Sequence, residues 1–364
     1  MSDRSSADHG ARLARLREQL VERELDQLLV TNLVNIHYLT GFTGTNAMLV
    51  IGADSASLLT DFRYTGQAAE QAPGFDVLDG GSEPREVLVG LLAAVGGRAG
   101  FDDVDMRVKT HVALVELLAD AAELTPAAGV VEDLRAIKGA DEIESIAAAA
   151  SIADSIYETL AEEGLAGRSE REVARRVELL AHERGAEGLS FPPIVAGGAH
   201  GALPHAEPRD VQIERGQLVV LDLGVVVDRY CSDATRTFAS GPISDEAKEI
   251  YEIVAAAQLA ALAAIAAGVE CKAVDAAARD EIEAAGHGER FGHSTGHGVG
   301  LEVHEQPTLA ARSTSTLQPG HVVTAEPGIY IEGKFGVRIE DLVVVTAEEP
   351  RVLTNVSKEL LVVG

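Results

Sequence analysis

From His293 to Glu305 the chain reads His-Ser-Thr-Gly-His-Gly-Val-Gly-Leu-Glu-Val-His-Glu, which puts His293, His297 and His304 within twelve residues. Imidazoles at this density suit metal ligation, proton transfer or donation to a developing oxyanion. An i, i+4 pair such as His293 and His297 could share a helix face. Gly292, Gly296, Gly298 and Gly300 argue against a helix, because each interior glycine costs about 1 kcal/mol relative to alanine. An extended segment is expected, with glycines letting the backbone come close to its neighbours. The histidines alone leave packing and chemistry equally open.

Carboxylates in matching settings favour chemistry. Gly216-Gln-Leu-Val-Val-Leu-Asp222-Leu-Gly224 and Gly320-His-Val-Val-Thr-Ala-Glu326-Pro-Gly328 share one layout, with glycine six before the acid and two after it. An apolar strand that ends in a buried charge is expensive unless a partner neutralises it. The echo predicts two related half-units that deliver acids to a common centre. A turn around Val227 to Arg229 is expected to fold Asp233 against Asp222, and a turn at Glu332-Gly333-Lys334 to set Glu340 against Glu326 in the same way. Four such carboxylates repel one another and shift toward protonation unless cations intervene. Two divalent ions would make them an ordinary ligand set. One imidazole among oxygens suits manganese first, and cobalt, zinc or iron as well.

With these residues the chain resembles the proline-specific metallopeptidases of pita-bread fold, the group of aminopeptidase P and prolidase. The resemblance rests on the ordered set Asp222, Asp233, His297, Glu326 and Glu340, with Leu203-Pro204-His205, Thr235-Arg-Thr-Phe238 and Glu326-Pro-Gly328. It implies an α/β N-terminal domain of creatinase type, followed by an α+β pita-bread catalytic domain with pseudo-twofold halves. It implies hydrolysis of the bond between an N-terminal residue and proline by a metal-bridging hydroxide. Asp222 and Asp233 would hold one ion; Asp233, His297, Glu326 and Glu340 would hold the other, with Asp233 and Glu340 bridging. Glu326 would also orient the attacking water as a base. His293 and His304 would donate to the oxyanion, His205 would contact substrate or move a proton, and Arg338 would orient the carboxylates. Rival readings are a methionine-aminopeptidase-like enzyme, a metal-free creatinase-like enzyme, and a non-catalytic binding protein on the same scaffold.

The rest of the chain must position these groups. Its 364 residues, 46% of them hydrophobic, suit two domains, expected at 1–135 and 136–364. Net charge −28 excludes nucleic acid and anionic membranes as natural partners. Two cysteines make no disulfide framework. The polar start carries no signal-type apolar core, and no membrane span is expected, so the reading is cytoplasmic. A helix over 11–23 followed by strands over 27–31, 47–51 and 56–60 reads as α/β. Asn35 to Phe42 reads as an aromatic loop that simply packs. The resemblance makes His37, Tyr38 and Phe42 candidate substrate contacts, and implies a homodimer in which this domain lends a loop to the partner's site. In the second domain helices are expected over 141–163 and up to 184, the latter opened by a Ser169/Glu172 capping box. Helices over 245–267 and 272–285 follow, and 191–210 reads as an irregular functional loop.

Overall fold

A computed structural model of the chain describes residues 2–363, with side chains from residue 9 onward. The chain forms two units, Met1–Arg135 and Ala136–Gly364. The first is built on strands β1 (Gln27–Val30), β2 (Met48–Gly52), β3 (Ala56–Thr60), β4 (Asp76–Asp79), β5 (Arg98–Phe101) and β6 (Glu123–Pro126), in the order β4-β3-β2-β1-β5-β6. Pairings β1–β2 and β2–β3 are antiparallel and the others parallel. Helices α1 (Ser2–Glu22), α2 (Leu33–Thr40), α3 (Thr65–Gln71), α4 (Pro84–Val95), α5 (Val108–Leu118) and α6 (Val130–Ala136) alternate with the strands.

The aromatic stretch expected as a loop is mostly the helix α2. The Asn32 side chain accepts from the amides of Val34 and Asn35 at 2.8 and 3.1 Å, and Gly41 ends the helix at φ 76°. These are ordinary start and stop signals. Tyr38 and Phe42 are each 1% exposed within this chain, where both are packed. Tyr38 lies under the Arg12 guanidinium at 4.2 Å and donates to Leu134 O at 3.2 Å, while Phe42 meets Tyr64 edge-on. His37 is half-buried, its Nδ1 3.3 Å from Phe42 O.

The second unit repeats one design twice. Helices α7 (Ala140–Glu163) and α8 (Glu170–Glu183) precede the first half-unit, and α9 (Asp245–Ala264) and α10 (Cys271–Ala284) precede the second. Both capping-box bonds at Ser169 and Glu172 form, at 2.7 and 3.2 Å. Helix α9 stops short of the expected end because Ile265 turns extended and is buried in the core. The first half contains β7 (Gly188–Leu189), β8 (Ile194–Gly197), β9 (Leu218–Leu223), β10 (Val225–Val227), β11 (Tyr230–Cys231) and β12 (Ala234–Ala239). Strand β8 and a 3-10 turn at Gly198–Ala202 lie inside the stretch expected to be irregular. The second half contains β13 (Gly296–Gly298), β14 (Glu305–Leu309), β15 (Val322–Ala325), β16 (Gly328–Ile331), β17 (Phe335–Arg338), β18 (Asp341–Val344) and β19 (Arg351–Val352). The sheets run β12-β9-β8, β11-β10-β7, β14-β13-β15-β18-β19 and β16-β17.

Each half thus carries a hairpin in two pieces, β9–β10 returning as β11–β12 and β15–β16 returning as β17–β18. Strand alternation then sorts the side chains. Val219, Leu221, Leu223, Ala234 and Phe238 share a core with residues of α7 and α8. Val323, Ala325, Ile329, Val337, Ile339 and Val343 share one with residues of α9 and α10. The opposite parity is left for Asp222, Asp233, Glu326 and Glu340. Among the described residues no helix is long and apolar enough to cross a membrane.

Candidate active site

The two hairpins place their acids differently. In the first, the positive φ of Asp228 and Arg229 makes a tight turn between β10 and β11. The register it sets pairs Thr235 with Asp222, so Asp233 lies two residues further along and on the same face. In the second, the ladders Ala325↔Asp341 and Gly328↔Arg338 have one register, which sets Glu326 directly opposite Glu340. The expected equivalence of the two acid pairs therefore fails by two residues. The halves are joined where Glu340 N donates to Thr235 O at 3.1 Å and Thr237 Oγ1 donates to Arg338 O at 2.9 Å.

His297 enters from β13, which is pinched between β14 and β15. A Cβ on Gly296 would stand 2.0 Å from Thr324 O, and one on Gly298 2.2 Å from Gln306 O. That contact is why the histidine is flanked by glycines. A register shift between His297 and Gly298 re-aims the strand. His297 Nδ1 donates to Gly298 O at 3.0 Å, leaving Nε2 to face the acids, 3.3 Å from Glu326 Oε1 and 3.6 Å from Asp233 Oδ2.

Ligand-type atoms of Asp233, His297 and Glu340 all lie within 4.8 Å of one another. Glu326 joins through His297. Asp222 joins through Arg338, whose Nη2 donates to Asp222 Oδ2 at 2.6 Å. Arg338 Nε also donates to Thr235 Oγ1 at 3.0 Å, and Thr235 passes a hydrogen bond to Glu340 Oε2 at 2.7 Å. The other oxygens, Asp222 Oδ1 and Glu340 Oε1, are buried with no hydrogen-bond partner. Burial first, then repulsion from Glu340, Asp222 and Glu326, holds Asp233 protonated well above the usual carboxylate range. Burial and repulsion from Glu326 and Asp222 do the same to Glu340. Burial also raises Asp222, against the attraction of Arg338. For Glu326 the same burial penalty is outweighed by His297, His293 and Arg338, so its pKa falls; for His297 burial is outweighed by Glu326, so its pKa rises. Buried orphan oxygens on mutually repelling acids, beside an imidazole nitrogen with its tautomer fixed, form a donor set that fits divalent cations.

Around this set stand three more histidines. Arg338 Nη1 donates to the Tyr330 hydroxyl at 2.8 Å, so the Tyr330 proton is free to point at His293 Nε2, 2.9 Å away. His293 Nδ1 donates to Ser294 O at 2.8 Å. Both ring nitrogens of His293 are therefore engaged in this arrangement. Tyr330 was not singled out from sequence; its place two residues after Gly328, on the strand face of Glu326, was the available signal. His304 is exposed, its ring centroid 4.4 Å from that of His297. His205 is exposed too, and lies close enough for its charge to help lower both His293 and His304, each depressed mainly by burial.

Two family models match the chain. Residues 144–347 match metallopeptidase family M24, and residues 12–137 match the creatinase/prolidase N-terminal domain. An Xaa-Pro dipeptidase of Pyrococcus furiosus is 37% identical over 354 residues, spanning 96% of this chain and 99% of its own. The structure of an Xaa-Pro dipeptidase from Bacillus anthracis superposes with TM-score 0.94 at 42% identity, covering 97% of this chain and 99% of that one. An X-Pro aminopeptidase from Thermotoga maritima gives TM-score 0.85 at 36% identity, covering 93% and 97%.

Proposed function

Because the chain belongs to metallopeptidase family M24, with a creatinase-type N-terminal domain and the pita-bread fold, we propose that it hydrolyses the bond between an N-terminal residue and proline. The division of labour assigned is 1–135 for the creatinase-type domain and 136–364 for catalysis. Asp222, Asp233, His297, Glu326 and Glu340 would hold two divalent ions, with manganese the first choice for an oxygen-rich set. When bound, such ions supply Lewis-acid activation of the scissile carbonyl and of the attacking water.

The chain's own groups account for the rest. The imide nitrogen of Xaa-Pro has no N–H, so a site that needs no hydrogen bond from it has an advantage over general peptidases. Glu326, its pKa lowered, would take the proton of the attacking water. His304, its ring centroid 4.4 Å from that of His297, would donate to the developing oxyanion. Arg338, Tyr330 and His293 form a fixed chain that keeps Asp222 oriented. The observation that carries the reading is the gathering of Asp233, His297 and Glu340 beside buried oxygens with no partner.

The dipeptidase reading is favoured by the likeness to the Bacillus anthracis and Pyrococcus furiosus enzymes, and the aminopeptidase reading by that to the Thermotoga maritima one. With manganese or cobalt supplied, cleavage of Xaa-Pro well above Xaa-Pro-Xaa-Xaa is expected. The opposite order selects the aminopeptidase. Cleavage of Met-Ala peptides with neither proline substrate touched overturns both.

Metal removal has a second readout. Asp233 and Glu340 have folded pKa values raised above their ordinary 3.8 and 4.5. The stability each contributes is complete below the unfolded value and is lost as pH rises through the folded one. Asp222 and His297 have the same sign; Glu326 and the depressed His293, His304 and His321 have the opposite, but Asp233 and Glu340 are the carboxyl groups raised furthest. Thermal melts of the metal-free protein are thus expected to show less stability at pH 8 than at pH 5.5. Saturating manganese should raise Tm by roughly 5–10 °C, more at pH 8 than at pH 5.5. A Tm that manganese leaves unmoved at both pH values would remove the metal assignment.

A further inference from the structure

We propose that Glu170 is a positioning residue for the substrate side of the active site, clamping the base of the loop between Gly197 and Arg209 so that its tip stays against the catalytic strands. The proposal rests on the peptidase reading above and adds a residue to it.

Glu170 is the first residue of α8 and is 2% exposed. Helix α8 does not need it as a cap, since Ser169 and Glu172 cap each other. Its carboxylate points instead into the loop. Oε1 accepts from Gly197 N and Arg209 Nη2, and Oε2 from Arg209 N and Arg209 Nε, all at 3.0 Å. His200 Nδ1 lies 3.0 Å from both oxygens. One buried charge thus ties together the two ends of the loop and its 3-10 turn. Burial raises the Glu170 pKa, yet Arg209, the two amides and His200 outweigh it, so the group is ionised.

Beyond the clamp the loop reaches the site. Gly201 lies so close to β17 that a Cβ on Gly336 would stand 1.9 Å from Gly201 O. Pro204 O accepts from Arg338 Nη1 at 3.1 Å, the same guanidinium that holds Asp222. His205 follows, exposed beside His293 and His304. Leu203 is 57% exposed, while Ala206 packs with Ile194 and Ala196 and the polar clamp holds the loop's two ends.

The test is Glu170→Gln, compared with wild type under saturating manganese on an Xaa-Pro dipeptide. Every partner of the carboxylate is a donor, and a glutamine would turn an NH2 toward some of them. Because displacing a substrate-positioning group by about 1 Å can cost about 10²-fold, KM is expected to rise about 10- to 100-fold, with kcat changed much less and bound manganese unchanged. Amide hydrogen exchange at Gly197 and Arg209 should accelerate. Arg209→Gln, at an exposed residue, should shift KM the same way by a smaller factor and serves if Glu170→Gln does not fold. KM within twofold of wild type in folded variants overturns the proposal, as does a fall in kcat that tracks loss of manganese. If wild type cleaves no Xaa-Pro substrate, the peptidase reading fails on its own. Unchanged exchange at Gly197 and Arg209 would separately overturn the clamp.

Discussion

Asp233→Asn is expected to reduce kcat/KM on an Xaa-Pro peptide by about 10³-fold or more, while the metal-free protein stays at least as stable as wild type at pH 8. The activity loss follows from the reading of Asp233 as a shared ligand: ions held there contribute several kcal/mol of charge stabilisation, and each 1.36 kcal/mol is tenfold in rate. The stability result has the opposite sign. Asp233 is 5% exposed, and burial plus the charges of Glu340, Asp222 and Glu326 resist its ionisation. Replacing it by a neutral isostere removes that penalty in the absence of cations, as happens when functional groups are held in unfavourable places. A conventional structural residue would behave the other way, losing Tm in both states. Activity and metal-free melts on one preparation distinguish the two. A variant that keeps activity within tenfold, or that melts more than about 5 °C below wild type without metal, would rule out Asp233 as a ligand held at a cost.

What was legible in the sequence is what local pattern encodes. The Gly–acid–Gly layout marks where two apolar strands deliver acids to one face, and glycines around His297 mark close strand packing, visible at Gly296 and Gly298. The cap at Ser169 places the start of α8, and the helical stretch expected over 245–267 meets α9 to within a few residues. The family resemblance supplied the fold. What stayed hidden depends on partners far apart in the chain. The two-residue offset between the acid pairs is set by turn geometry at Asp228 and Arg229, which composition there does not announce. Helix α2 was missed because its aromatic residues drew attention from Asn32 and Gly41. Tyr330 and Glu170 look like ordinary strand and helix residues. Only the fold brings Tyr330 to His293, and Glu170 to Gly197, His200 and Arg209.

Arg236 is the largest such omission, and Arg236→Met is expected to destabilise the folded chain by about 3–5 kcal/mol, roughly 10 °C in Tm. Its side chain is fully buried. It pairs with Asp341 Oδ1 at 2.7 Å and donates to the carbonyls of Val356, Ser357, Thr235 and Glu340. Asp341 in turn accepts from Gln258, Thr354 and Lys358 at 2.7 to 2.8 Å. Removing the guanidinium takes one donor from each of those four carbonyls and leaves Asp341 Oδ1 without its cation, Lys358 remaining on Oδ2 alone. Lysine cannot substitute, because a single ammonium does not span a carboxylate and four carbonyls arranged around a planar fork. Arg236→Lys should therefore recover less than half of the lost stability. The same bonds fasten the carbonyl of Glu340 and the segment at Val356, so activity should fall in Arg236→Met even at temperatures where the protein remains folded. Denaturant unfolding alongside kcat measured well below Tm tests both. A loss under about 1 kcal/mol would show that Lys358 and Gln258 hold Asp341 without Arg236, and full activity in the folded variant would separate this network from the placement of Glu340.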